Sequence, residues 1–274
     1  MDRNDSKNHR ICADCGCLMG KNNLVVLCIV IFSIILSGCI QPPPKPQESV
    51  GGSRTLSEAA KVNQMSKLQF GVPQVMNDPV VGQSETMVAA NYDALHIEVP
   101  SGYEQIVKDS AEDYENLPRP FRPLTLYFSA ASDPRDAELS AIYGYTFETA
   151  ATTVFGENHD TIYVWGTGSS PHALDKYSLA HELGHTMDGE YLAISNGKGY
   201  TDAIEEDKSS SGSNPGFVSE YATQSTAVYK GTYREHAEDF AEAVARWTTD
   251  RSNFTKDCPN RALYLTKILE GGPI

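Results

Sequence analysis

The stretch Tyr177-Ser-Leu-Ala-His-Glu-Leu-Gly-His-Thr-Met-Asp-Gly189 decides how the rest of the chain is read. His181 and His185 are four residues apart. On a helix that is about 400° of turn, so both imidazoles leave from one face and can share a metal ion. Glu182 sits one position on, beside that face, where a carboxylate can take a proton from an attacking water without ligating the metal. Leu179, Leu183 and Met187 give the helix an apolar edge. Gly184 allows a neighbour to come close, and Gly189 reads as the stop.

Two histidines do not complete a site. Structural zinc centres fill four positions with protein ligands, whereas catalytic ones use three and leave one for water. The pattern HExxHxxGxxH fails, because Asp188 and Tyr191 stand where its glycine and third histidine belong. Gly199-Tyr-Thr-Asp202 is a poor match to a Gly-Thr-x-Asp ligand motif. The remaining source is a later helix, Arg234-Glu-His-Ala-Glu-Asp-Phe-Ala-Glu-Ala-Val-Ala-Arg-Trp247. Ala237, Phe240, Ala241 and Val244 form its buried stripe at i, i+3, i+4 and i+7. Glu238 and Glu242 lie four apart on an adjacent stripe: one can ligate, the other can fix the tautomer of a ligating histidine. Glu235 and Asp239 have the same spacing, and pattern alone does not choose between the pairs. His236 points about 200° away from Glu238.

Working outward, Leu95–Val99, Leu124–Phe128 and Thr161–Trp165 read as strands. Ser101 and Glu104 have capping-box spacing before a short helix. Helices are expected around 173–188, 234–248 and 260–270. A strand–helix–strands order followed by helices is an α+β arrangement in one domain, here 95–274. Residues 55–94 carry little pattern beyond a weak helix over Leu56–Leu68 and read as a lead-in segment. Ser195–Gly216 is Ser/Gly-rich and reads as a loop: a mobile lid, a substrate-selecting loop or plain disorder.

The N-terminus reads as an address. Lys21 precedes the apolar run Leu24–Leu36, and Leu36-Ser-Gly-Cys39 follows it. That is the order of a secretory signal. Its ending resembles a bacterial lipobox, which implies removal of residues 1–38, lipidation of Cys39 and attachment to the cell envelope. Residues 1–18 exceed an ordinary signal start, and Met19 is an alternative translation start. Residues 39–54, Pro-rich and then Gly-rich, read as a tether. The whole chain has 274 residues and a formal charge of −14. Loss of residues 1–38 removes four bases and three acids, which leaves −15. An acidic chain with no basic run argues against nucleic acid as a partner. Five of the six cysteines fall in the first 39 residues, so Cys258 is left alone and no disulfide framework is possible.

The segments His181-Glu-Leu-Gly-His-Thr-Met-Asp188, Val218-Ser-Glu-Tyr-Ala222 and Glu238-Asp-Phe-Ala-Glu-Ala243 together resemble the anthrax lethal factor type of zinc peptidase domain, which Pro-Pro endopeptidases share. The resemblance spans roughly residues 95–250. It implies a zincin-like fold, with a small mixed sheet, an HExxH helix and a second helix carrying a glutamate ligand. It implies Zn2+ held by His181, His185 and Glu238, with Glu182 as general base and Glu242 supporting a ligand. Tyr221 matches the family tyrosine that hydrogen-bonds the oxyanion. In the family that tyrosine lies nearer the glutamate. Here Thr223–His236 intervenes and carries Tyr229 and Tyr233, and Tyr233 is the second candidate for that role. The expected activity is zinc-dependent endopeptidase action by a monomer on peptides or proteins outside the cell or in its envelope. The alternatives are an inactive zinc-binding surface lipoprotein and an exported toxin-like protease.

Overall fold

A computed structural model describes residues 68–270 of the chain, apart from 79, 94, 144–145, 147, 190–192, 211–217, 220, 224–229 and 233. The expected signal, Cys39, the tether, residues 56–67 of the expected lead-in helix, Tyr229 and Tyr233 lie outside the described residues. No helix among the described residues is long and apolar enough to cross a membrane.

The fold is α+β, built on one mixed sheet of seven strands. They are β1 (Gln69–Phe70), β2 (Gln74–Asn77), β3 (Ser84–Tyr92), β4 (Leu95–Pro100), β5 (Leu124–Phe128), β6 (Ala151–Phe155) and β7 (Asp160–Val164). The order is β1-β3-β4-β5-β7-β6, with β2 also on β3. The centre, β4-β5-β7, is parallel; β6 closes one side antiparallel to β7. The segment before residue 95, weak in pattern, supplies β1 to β3, and β3 pairs with β4 over six residues. Its strands hold because Val88, Ala90 and Tyr92 add every second side chain to the core.

Seven helices are named in chain order: α1 (Glu104–Asp109), α2 (Asp136–Tyr143), α3 (Lys176–Asp188), α4 (Lys198–Ser210), α5 (Ala237–Thr249), α6 (Arg251–Asp257) and α7 (Pro259–Leu269). The capping box expected at Ser101 does not form. Tyr103 is the N-cap of α1 and makes no side-chain cap bond; the Glu104 carboxylate instead accepts from the Gly102 N–H. The span read as a structureless loop contains α4. Its Tyr200 and Ile204 are buried, while Asp202, Glu205 and Glu206 face solvent, so a polar composition concealed an amphipathic helix.

Two cores meet at α3. Ile97, Leu126 and Ile162 stand in register across three strands, all fully buried, in one cluster with Leu179 and Leu183 of α3. Met187, one turn further on, joins a second cluster with Phe240 and Val244 of α5, Phe254 of α6 and Leu265 of α7. The histidine helix is thus wedged between sheet and helical layer. Asp175 caps its start by accepting from the Ser178 N–H. Gly189 ends it with φ of 72°, and its N–H bonds to the His185 carbonyl.

Candidate metal centre

α3 and α5 pack against each other more closely than side chains normally allow. A Cβ placed on Gly184 would stand 2.7 Å from the Cα of Ala241. Glycine on one helix and alanine on the other remove the spacer, and the residues flanking them meet across the gap.

Those residues are the expected ligands. His181, His185 and Glu238 form one buried group whose donor atoms converge. His181 Nε2 and His185 Nε2 are 3.1 Å apart. Glu238 Oε2 lies 3.2 Å from the first and 3.4 Å from the second. An ion held tetrahedrally with bonds of about 2.0 to 2.1 Å has ligand–ligand edges of about 3.3 Å. The three edges fit that figure. Neither oxygen of Glu238 receives a well-formed hydrogen bond among the described residues, although the side chain is buried. A carboxylate left this way in a dry site is costly unless a cation answers it. The donor set therefore fits a metal ion on both shape and charge.

The surroundings hold the donors in place. Glu242 Oε1 is 2.9 Å from His181 Nδ1, and the Tyr177 hydroxyl donates to Glu242 Oε2 at 2.7 Å. This contact leaves His181 Nε2 to face the triangle. Burial works against the Glu242 carboxylate, but His181, Tyr177 and Ser219 outweigh it and hold its pKa below the ordinary value. Glu238 is likewise penalised by burial, yet attraction to His185 and His181 brings its pKa below normal.

Glu182 is fully buried and receives a 2.7 Å hydrogen bond from the hydroxyl of Thr153 on β6. Burial raises its pKa against the pull of His185, His181 and Thr153. The ring of Tyr221 lies 6.2 Å from that of His181, centre to centre. Tyr221 is half-buried and borders the same place.

The other candidates go elsewhere. Asp239 is buried but binds Arg261 and Tyr200. Glu235 accepts from the Gly231 N–H. Asp202 is exposed and pairs with Lys198. Asp188 accepts from the Ile194 and Ser195 N–H groups and shapes the turn after α3. Cys258 is a buried thiol in no disulfide, and its sulfur accepts from Arg261 Nη2 at 3.2 Å. Thr153 and Tyr177, which touch the site carboxylates, carry no motif signal. Only the pairing of β6 beside α3 and the packing of α3 on α5 reveal them.

Comparison with family models, with curated proteins and with solved structures finds no match for this chain.

Proposed function

We propose that this protein is a zinc-dependent endopeptidase. The observation that carries the reading is the buried triangle of His181, His185 and Glu238, with the Glu182 carboxylate on the same helix as the histidines. Two histidines and one glutamate leave one position of a tetrahedral ion open, the pattern of catalytic rather than structural zinc. When bound there, zinc supplies a Lewis acid and lowers the pKa of water.

The chain's own residues supply the rest. Glu182, aligned by Thr153, accepts the proton of the attacking water and returns it to the leaving amine. Tyr221 donates a hydrogen bond to the carbonyl oxygen as negative charge builds on it. Glu242 and Tyr177 keep His181 in one orientation. β6 ends the sheet, and its outer edge pairs with no strand among the described residues. An extended peptide added to that edge would pass beside Glu182. The likeness of the three motifs to the lethal factor type of peptidase supports this reading. On the same reading Cys39 is lipidated, and the substrates are proteins of the envelope or its exterior.

The test is a peptide-library cleavage assay with and without chelator, on the parent and on Glu182→Gln. Proline-containing peptides are the first set. The expected result is chelator-sensitive cleavage by the parent and none by the variant, with equal metal content. A variant that cleaves as fast as the parent overturns the mechanism.

A further inference from the structure

α5 presents a second functional row beside its ligand row. Asp239, Glu242 and Arg246 stand at i, i+3 and i+7 and so line one face. Asp239 and Arg246 reach the short segment that carries Tyr221. Asp239 Oδ1 accepts the backbone N–H of Val218 at 2.8 Å. Arg246 Nη1 donates to the carbonyl of the same residue at 3.1 Å. Both backbone polar groups of Val218 are thus tied to α5, three residues before Tyr221. From there the chain turns at once: Ser219 Oγ accepts the Ala222 N–H at 3.0 Å, and the Ser219 carbonyl accepts the Thr223 N–H at 3.1 Å. Ala222 is fully buried and pins the turn.

The clamps are themselves oriented. Asp239 receives both 2.9 Å bonds of one Arg261 nitrogen and a third from the Tyr200 hydroxyl. Arg246 is held from its other nitrogen by Asp257, at 2.6 Å. A carboxylate and a guanidinium fixed in this way lose little freedom on gripping a backbone.

We propose that Asp239 and Arg246 are positioning residues that set Tyr221 beside His181, so that one helix supplies the metal ligand and also fixes the oxyanion donor. The inference rests on the assignment of Tyr221 in the proposed reaction, but its geometry does not need that reaction to be tested. A misplaced donor weakens a hydrogen bond made only in the transition state, so the loss falls on kcat and not on KM.

The experiment replaces Tyr221 with 3-fluorotyrosine and records fluorine NMR of the folded protein, alone and with Arg246→Gln. The expected result is one narrow resonance in the first and a shifted, broadened or doubled one in the second. Identical spectra overturn the proposal. Ser219→Ala removes a gentler tether and gives the same readout if Arg246→Gln does not fold. Where the parent cleaves peptide, Arg246→Gln is expected to lower kcat about tenfold or more with KM and metal content unchanged. In a Tyr221→Phe background it is expected to add less than about twofold. Equal losses in both backgrounds overturn the coupling. A parent that does not cleave, with the spectral change still seen in Arg246→Gln, refutes the peptidase reading and leaves the clamp standing.

Discussion

Glu242 sits 2.9 Å from His181 Nδ1, reaching from α5 to the helix that carries both histidines. The contact ties Glu242 to the candidate metal centre through His181. Glu242→Gln keeps the size and removes the charge. It is expected to weaken metal affinity about 10- to 100-fold, read by competition with a chromogenic chelator. Unchanged affinity would show that the tautomer of His181 is set by something else.

Gly184→Ala tests the close approach of the two helices. The added methyl meets the Cα of Ala241, which cannot rotate away. The expected cost is about 1–3 kcal/mol, measured by urea denaturation, with a matching loss of metal affinity. Alanine has the higher helix propensity, so a stabilised variant would contradict the packing of α3 on α5.

Arg261→Met tests the polar centre of the helical layer. Arg261 is fully buried and joins Asp207 of α4 to Asp239 of α5. Without it two buried carboxylates lose their counter-charge. The expected destabilisation is about 3–5 kcal/mol, read from denaturant midpoints. A loss below about 1 kcal/mol would mean that water reaches the pair.

Stripping the metal tests the site as a whole. An ion bound only by the folded chain, at a free concentration about 100-fold above Kd, adds about 2.7 kcal/mol. For a domain of this size that is a rise in Tm of roughly 5–10 °C, reversed by chelator. His185→Ala should abolish the chelator-sensitive part while keeping the sheet signal in circular dichroism.

Tyr221→Phe tests the oxyanion donor. It is expected to lower kcat about 100-fold with little change in KM or zinc content. An unchanged kcat would move the role to Tyr233.

The helices at 176–188 and 237–249 are legible from their apolar stripes and motifs, although the structure buries 179–188 and 237–245 on all sides. The choice of Glu238 over Asp239 rests in the sequence only on likeness of motif. In the structure Asp239 lies within reach of Arg261, 22 residues away, and spacing along one helix carries no trace of that partner. α4 escapes the sequence for a similar reason. Lys198–Ser210 buries Tyr200, Ala203, Ile204 and Asp207 at i, i+3, i+4 and i+7, but a small alanine and a charged aspartate in two of the four places keep the row from reading as apolar. β1 to β3 are weak in pattern because they are short or bent around a hairpin. Asp78, whose carboxylate accepts the Val80 and Val81 N–H groups, shapes that hairpin, and an aspartate before Pro79 is a local signal that could have marked it.

The contact of Gly184 with Ala241 also bears on how the site is loaded. Donors on two helices locked at backbone distance are assembled before any ion arrives. The ordering entropy is met when the domain folds, not when metal binds. Loading is then a simple bimolecular capture, limited by access and by water leaving the ion. A folded, metal-free form would persist and fill wherever a suitable ion is first encountered.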